Sequence, residues 1–427
     1  MQNKCKFALL TLGLLFTTEF ISCQKENYPL INQLPSKKTL ISFSWWGNSL
    51  RNDYTLEGLQ LFEKNNPDIM VEPYYGPWHG YEQQFPDRFY SNHAEDLMMI
   101  QYDWLSIYSK EGDGFYDLNK LDKWIELNNL TSEDLSYGYV NGILNAVPVA
   151  FNTTVPVWDI NLFEEYHLSL PENWDDLFKC AAVFREHNLY TFGTMGINLY
   201  LLLIAYIEQT QDKTAFSPDG HFNLNETDVK YMLQLYKKLF DEKVIYPDIL
   251  TFESEKTAEE SNVAGIVCWS HECSRYAERF KRVDHKVQIG NYFIDENAPV
   301  SGWYIKPSSM YAINKNSRHP EEAARLLNFL LNDPDMALLQ KNDKGIPLSN
   351  RALTTLLETK QIDSLEYDSL MKMRFYSKEL KRMTPNMENS LLVITFIEHA
   401  RAYQSGKESL NKAGREIYTA FCTYCNK

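Results

Sequence analysis

Five short stretches of the chain set an aromatic ring beside a hydrogen-bonding side chain. They are SWWGNSLR (44–51), GPWHGY (76–81), IQYDWL (100–105), CWSHE (268–272) and SGWYIKP (301–307). An indole or phenol offers a flat apolar face, while carboxylates, amides and guanidinium groups make directional, often paired hydrogen bonds. A molecule that satisfies both at once has an apolar C–H face rimmed by hydroxyls, the surface of a sugar ring. The residues marked in this way are Trp46, Asn48 and Arg51; Trp78 with Tyr81; Tyr102, Asp103 and Trp104; Trp269 and His271; and Trp303. A cationic ligand such as a polyamine would call for a ring box with several carboxylates, and a peptide is a further alternative; the mixed Trp, Asn, Arg and Asp set fits a sugar better.

Bond-breaking chemistry has little support in these residues. Glycoside hydrolysis needs two placed carboxylates, and although Asp103 can be paired on paper with Glu82 or Glu272, no spacing singles out a pair. An HExxH helix, a nucleophile elbow and a phosphate loop are absent. No catalytic residue, cofactor or metal site is therefore expected.

The elements that must position these residues follow from periodicity. Leu40–Trp46 reads as a strand, Thr55–Asn65 as a helix ending at NNP, and Ile69–Val71 as the next strand. That β-α-β order implies a parallel sheet with a right-handed crossover. Further strands are expected at Asp96–Ile100 and Ala146–Ala150. Strand alternation places Trp45 with Ile41 and Phe43 in the core, and leaves Trp46 where the strand leaves the sheet. Open α/β sheets bind ligands just beyond their strands' carboxyl ends, so Trp46, Gly47, Asn48, Arg51 and the Gln101–Trp104 exit are placed to line a cleft. Later stretches read as helices: 171–188, 228–244 with Val229, Met232, Leu233, Tyr236, Leu239 and Phe240 on one face, and 317–334 with Pro320 in its first turn. The class is α/β with a helical C-terminal part.

At 427 residues the chain calls for two or three domains or lobes. Its 42 basic against 57 acidic residues, a net charge of −15, exclude a phosphate-binding basic face and hence nucleic acid. Residues 1–23 carry Lys4 and Lys6 followed by the apolar run FALLTLGLLF and end in FISC. This pattern is that of a secretory signal, too short to span a bilayer, with a lipoprotein cleavage box that would make Cys23 the lipidated first residue. Residues 24–38 read as a polar tether, so the mature chain is expected outside the cytoplasm, anchored to the bacterial membrane by lipid alone. Cys180, Cys268, Cys273, Cys422 and Cys425 remain; buried thiols or a local disulfide explain them better than zinc, which needs four converging ligands.

Over residues 38–420 the sequence resembles the extracellular solute-binding proteins of carbohydrate ABC importers, the family that includes maltose-binding protein. The likeness rests on SFSWWGNSLRNDYTLEGLQLFEKNNPDIMVEPYYGPWHGY, AEDLMMIQYDWL, NAVPVAFNTTVPVWDINLFEEYHLSLPENWDDL, VAGIVCWSHECSRY and the block from SGWYIKPSSMYAINKNSRHPEEAARLLNFLLNDP to GIPLSN. The resemblance implies the type II periplasmic-binding-protein fold, two α/β lobes joined by a hinge the chain crosses more than once. Crossings would fall near 149–152, 300–305 and 345–350, giving a first lobe of 39–149 plus 305–345 and a second of 150–304 plus 346–427. It implies ligand roles for Trp46, Asn48, Arg51, Asp103 and Trp104, places Asn152 where relatives carry a hydroxyl ligand, and puts Trp269 and His271 where relatives present a ring. The chain departs from the family at VPVWD (155–159), which leaves Trp158 to packing. It further implies a monomer that captures a mono- or oligosaccharide by hinge closure and passes it to ABC permease subunits.

Overall fold

A computed structural model describes residues 38–247, 262–280, 285–362 and 364–426. The expected leader at 1–23, its Cys23 and the tether through residue 37 lie outside the described residues. Two sheets organise the chain. The first contains β1 (Thr39–Trp46), β2 (Ile69–Gly76), β3 (Leu97–Ile100), β6 (Val147–Asn152), β11 (Tyr304–Ile313) and β12 (Lys381–Arg382), in the order β12-β11-β3-β1-β2 with β6 also paired to β11. The second runs β10 (Val287–Ile289), β7 (Thr154–Asp159), β9 (Gly265–Trp269) and β8 (Gly193–Thr194). Strands β4 (Tyr139–Val140) and β5 (Ile143–Leu144) form a separate hairpin.

β1 lies parallel to β2 from Thr39↔Ile69 to Trp46↔Gly76, and parallel to β3 on its other side. Their carboxyl ends therefore open on the same edge of the sheet. Trp45 is fully buried, stacked between Phe43 at 4.9 Å and Tyr75 at 4.8 Å, with its indole N–H donating to Asn52 Oδ1 at 3.1 Å. The helix after β1 covers Ser49–Asn65, six residues longer at its start than the periodicity suggests. The reason is Asn48: its side-chain oxygen accepts the Arg51 backbone N–H at 2.9 Å and caps the first turn.

Each sheet has its own apolar core. One gathers Ile41, Phe43, Trp45, Phe62, Met98, Val147, Tyr311 and Leu327; the other gathers Val157, Trp158, Phe184, Leu203, Leu233, Ile266, Phe293 and Phe396. The strands joining them are continuous. β6 becomes β7 across the single residue Thr153, whose hydroxyl donates to Tyr304 O at 2.7 Å at the start of β11. β11 runs antiparallel to β3 and β6, with Met310 level with Ile100 and Lys306 level with Asn152. At the usual strand rise Lys306 thus lies about 13 Å beyond the sheet edge, on the side where β1, β2 and β3 end. These are the two lobes of a type II fold, bridged by neighbouring strands. Helix Asn350–Glu358 sets Ala352 and Leu356 on Ala337 beside the first lobe, while its Leu353 joins the second core.

Candidate functional site

The first-lobe wall of the gap is aromatic. Trp46 ends β1, Trp78 and Tyr81 open the helix Trp78–Tyr90 after β2, and Trp104 opens the short helix after β3. Trp46 meets Trp78 at 5.0 Å, Tyr81 at 5.5 Å and Trp104 at 6.4 Å between ring centroids, and Trp78 lies 6.0 Å from Trp104. The cluster is layered. Trp104 is deep, 4.1 Å from Phe85, Trp46 is 9% exposed, and Trp78 is the half-buried outer ring. Tyr81 is locked from behind, its hydroxyl donating to Met99 O at 2.8 Å and lying 3.0 Å from Ser44 Oγ. Offset and edge contacts of this kind hold rings rigidly without a ligand.

The floor is polar and drawn from four parts of the chain. Lys306, on the hinge stretch of β11, is 6% exposed; its ammonium bonds Glu388 at 2.5 Å and sits 5.2 Å from the Trp269 ring centroid. Asp103 belongs to the same cluster. Burial and then the nearby Glu388 push its carboxyl up to about 7, with Glu82 adding to the rise and Lys306 opposing it. Beside them the Arg382 guanidinium lies 3.9 Å over the Tyr137 ring and donates to Ser136 O at 3.2 Å and Ser136 Oγ at 2.6 Å. Tyr102 packs 5.8 Å from Tyr137, and burial raises the pKa of its phenol against the pull of Arg382.

The far wall comes from the turn after β9. Asn152 Oδ1 accepts from Ser270 Oγ at 2.7 Å and from the His271 backbone N–H at 3.4 Å, tying the end of β6 to that turn. His271 Nδ1 is buried with no hydrogen-bond partner among the described residues. Burial, reinforced by Arg51 and Lys306, lowers its pKa to about 3, so the ring is neutral. Gly345 lets the two sides meet. Its φ is +96°, and a Cβ there would stand 2.9 Å from Ala150 Cβ and 3.8 Å from His271 Cβ.

Several residues singled out from sequence have other occupations. Arg51 bonds Asp343 at 2.7 Å, with Tyr54 donating to the same carboxylate at 2.8 Å, and Asn48 Oδ1 is used in the helix cap. Trp303 does not line the gap. It is 2% exposed, its N–H donates to Phe293 O at 3.3 Å and it packs on Tyr292 in the second core, because β11 approaches the gap by its starting end and only reaches it at Lys306. Trp158 is likewise wholly buried. Lys306, Glu388 and Arg382 also meet at the gap, and the sequence marks them poorly. Lys306 is a lysine inside an apolar strand, the one local signal for it, and Glu388 and Arg382 lie in a short segment with no local mark. Cys180, Cys268, Cys422 and Cys425 are thiols outside any disulfide. Among the described residues, no group of three or more His, Cys, Asp or Glu is placed to hold a metal ion, and no helix is long and apolar enough to cross a membrane.

Comparison with known proteins agrees with this architecture. A periplasmic solute-binding protein from Pectobacterium atrosepticum superposes with a TM-score of 0.83 at 26% identity, covering 91% of this chain and 99% of that one. A periplasmic oligogalacturonide-binding protein from Yersinia enterocolitica, solved with saturated digalacturonic acid, gives 0.79 at 23% identity over 91% and 98% of the two chains. An ABC substrate-binding protein from Listeria monocytogenes in complex with cycloalternan gives 0.68 at 16% identity over 90% and 98%. Residues 47–337 match the family described as bacterial extracellular solute-binding protein, most of the chain's length, and the chain belongs to that family.

Proposed function

We propose that this protein captures a mono- or oligosaccharide in the gap between its lobes, outside the cytoplasm, and delivers it as a lipid-anchored monomer to the permease subunits of an ABC importer. The observation that carries this reading is the pairing of the Trp46–Trp78–Trp104 wall with Asp103, Lys306, Glu388 and His271, groups of opposite chemistry gathered from both lobes and the hinge strand. A sugar's C–H face would lie on Trp78, and its hydroxyls would donate to Asp103 and exchange hydrogen bonds with Lys306 and His271. Solved structures of the same fold include an oligogalacturonide-binding protein and one in complex with cycloalternan, which favours a carbohydrate over a peptide or polyamine. Lobes dividing near 39–149 plus 305–345 and 150–304 plus 346–427 would leave the bridging strands as the hinge. Anchoring through Cys23 rests on the sequence of residues 1–23.

Ligand that touches both lobes is bound tightly only when they are closed, so it shifts the population towards the closed form. It also stabilises the fold by linkage, about 2.7 kcal/mol at a hundredfold excess over Kd. A thermal-shift screen of neutral and acidic oligosaccharides against peptides and polyamines tests the reading. A rise in Tm with saccharides alone supports it, and a rise with only a peptide or polyamine overturns it.

A further inference from the structure

The helix Ser49–Asn65 begins at the gap, and its far end reaches another hollow. A cavity of about 220 Å3 opens on the first lobe where this helix and the helix Pro320–Asn332 both finish. Seventeen residues of helix separate it from the gap, about 25 Å at the helical rise. It is thus a separate feature of the molecule.

Its lining combines a ring with uncommitted polar groups. Trp124 is half-buried at the cavity, and Phe62 and Phe329, 5.5 Å apart, supply apolar surface beneath. Asn328 Oδ1 accepts from the Glu126 backbone N–H at 2.9 Å and from Asn332 at 2.8 Å, which fixes the amide while its own NH2 has no partner among the described residues. The Asn65 amide is likewise without a hydrogen-bond partner among them, and Arg351 spends one guanidinium nitrogen on Glu126 at 3.3 Å, leaving the rest of its donors. The charges cancel locally once Lys123 is counted, its ammonium 4.8 Å from the Trp124 ring centroid, so that three cations face three carboxylates. Arg325 is bonded to Asp68 at 2.7 Å, Arg351 faces Glu126, and Asp333 caps the next helix by accepting from the Asp335 backbone N–H at 2.9 Å.

We propose that this outer cavity is a second binding site, for one neutral sugar ring. Trp124, which carries the Lys123 ammonium over one face at 4.8 Å, supplies its other face for stacking, and Asn65, Asn328 and Arg351 supply hydroxyl partners. Drug-sized ligands occupy pockets of about 300–1,000 Å3, so this smaller volume holds a single ring. The balanced charges disfavour a uronate or an amino sugar, and the polar rim disfavours a purely apolar guest. The site stands independently of the cleft reading, since it shares no residue with the gap.

Saturation-transfer NMR on the full chain tests it, with methyl glucoside, methyl galactoside and N-acetylglucosamine as neutral probes and galacturonate and glucosamine as charged ones. Transfer to a neutral probe should survive in Trp78→Ala/Asp103→Asn, where the cleft is disabled. It should fall about tenfold or more, the factor of one lost hydrogen bond to a charged group, in Arg351→Gln, a surface change that leaves the core alone. It should disappear in Trp124→Leu. Absence of transfer in the cleft-disabled protein, transfer that both outer variants leave intact, or transfer to charged probes only would each overturn the proposal. Failure of the cleft reading has a different signature: wild-type protein would then show the outer-site signal and nothing that Trp78→Ala/Asp103→Asn removes.

Discussion

Tyr81 and His271 stand in opposite walls of the same gap, and their polar atoms have opposite fates. The Tyr81 hydroxyl is within hydrogen-bond distance of two partners, Ser44 and the Met99 carbonyl, while His271 Nδ1 is buried with none among the described residues. The contrast extends to their neighbours. Around Tyr81 the rings of Trp46, Trp78 and Trp104 pack on one another and on Phe85, and the polar Asn48 and Arg51 are spent on a helix cap and an ion pair. On the polar side, Lys306 acts on His271 and on two acids, bonding Glu388 and opposing the rise in pKa that burial imposes on the Asp103 carboxyl. An unmade hydrogen bond on a buried group costs about 1–3 kcal/mol. The aromatic wall is therefore complete without a guest, whereas the polar seam is completed by one. Preorganised rings with unfinished polar groups opposite them form a site in which shape is set beforehand and affinity comes from the seam.

The sharpest way to break this contrast is to remove a deep ring. Trp104 is 4% exposed and touches Phe85, Tyr81 and Tyr108, so Trp104→Ala should cost about 3–5 kcal/mol of stability in urea denaturation. A loss below about 1 kcal/mol would mean that the wall is not part of the core.

The next test concerns Asp103 and carries a definite sign. Its carboxyl stands at about 7 in the folded protein against 3.8 ordinarily, so the folded state holds the proton more tightly than the unfolded chain. Stability from this group is complete below about pH 4 and is lost as pH rises through 7. Asp103→Asn should raise the stability of the unliganded protein at pH 8 by about 1–3 kcal/mol after allowing for solvent screening, and by almost nothing at pH 4. The same change should weaken saccharide binding. In the wild type, binding should be tighter at pH 8 than at pH 6, because the ionised carboxylate is the better acceptor for ligand hydroxyls. Equal stability of the two proteins at pH 8 would remove Asp103 from the unfinished seam.

Trp78 separates affinity from stability. Being the outer, half-buried ring, it should lose less than about 1 kcal/mol of stability on change to Ala, yet lower saccharide affinity by about 1–3 kcal/mol in calorimetry. Losses of similar size in both measurements would make Trp78 one more core ring.

The two halves of the contrast were unequally legible in the sequence. β1 and β2 announce themselves by apolar runs flanking a helix, and alternation alone divides Trp45, stacked in the core, from Trp46 at the strand exit. The seam depends on approach of distant segments. Lys306 and Glu388 are 82 residues apart, and no periodicity encodes their meeting. Trp303 misleads for a related reason: parallel strands meet the cleft at their ends, but antiparallel β11 meets it near its start, which buries the conspicuous indole in the second core and sets the lysine three positions on at the gap. Asn48 and Arg51 follow directly on the end of β1, and a helix that starts six residues early engages both. Local pattern thus reveals which strand ends face the gap, while tertiary closure decides which polar atoms there remain unspent.

The smallest effect is expected at His271, and its pH behaviour distinguishes it from Asp103. With its pKa lowered to about 3, the ring is neutral at both pH 6 and pH 8, so any hydrogen bond it makes to a ligand hydroxyl is the same at both. His271→Gln should weaken saccharide binding by about 0.5–1.5 kcal/mol, the worth of one neutral hydrogen bond, and by the same amount at each pH. The unliganded fold should respond in acid instead. A histidine whose folded pKa lies below its ordinary 6.5 contributes stability present above 6.5 and lost as pH falls towards 3. Arg51, Lys306 and Arg275 oppose the proton and Asp343 alone favours it, so the acid limb of the stability profile should flatten in His271→Gln. A binding loss that grows from pH 8 to pH 6 would show instead that His271 takes up a proton in the gap, and the partnerless nitrogen would then belong to a charged group rather than to a neutral acceptor or donor awaiting a sugar.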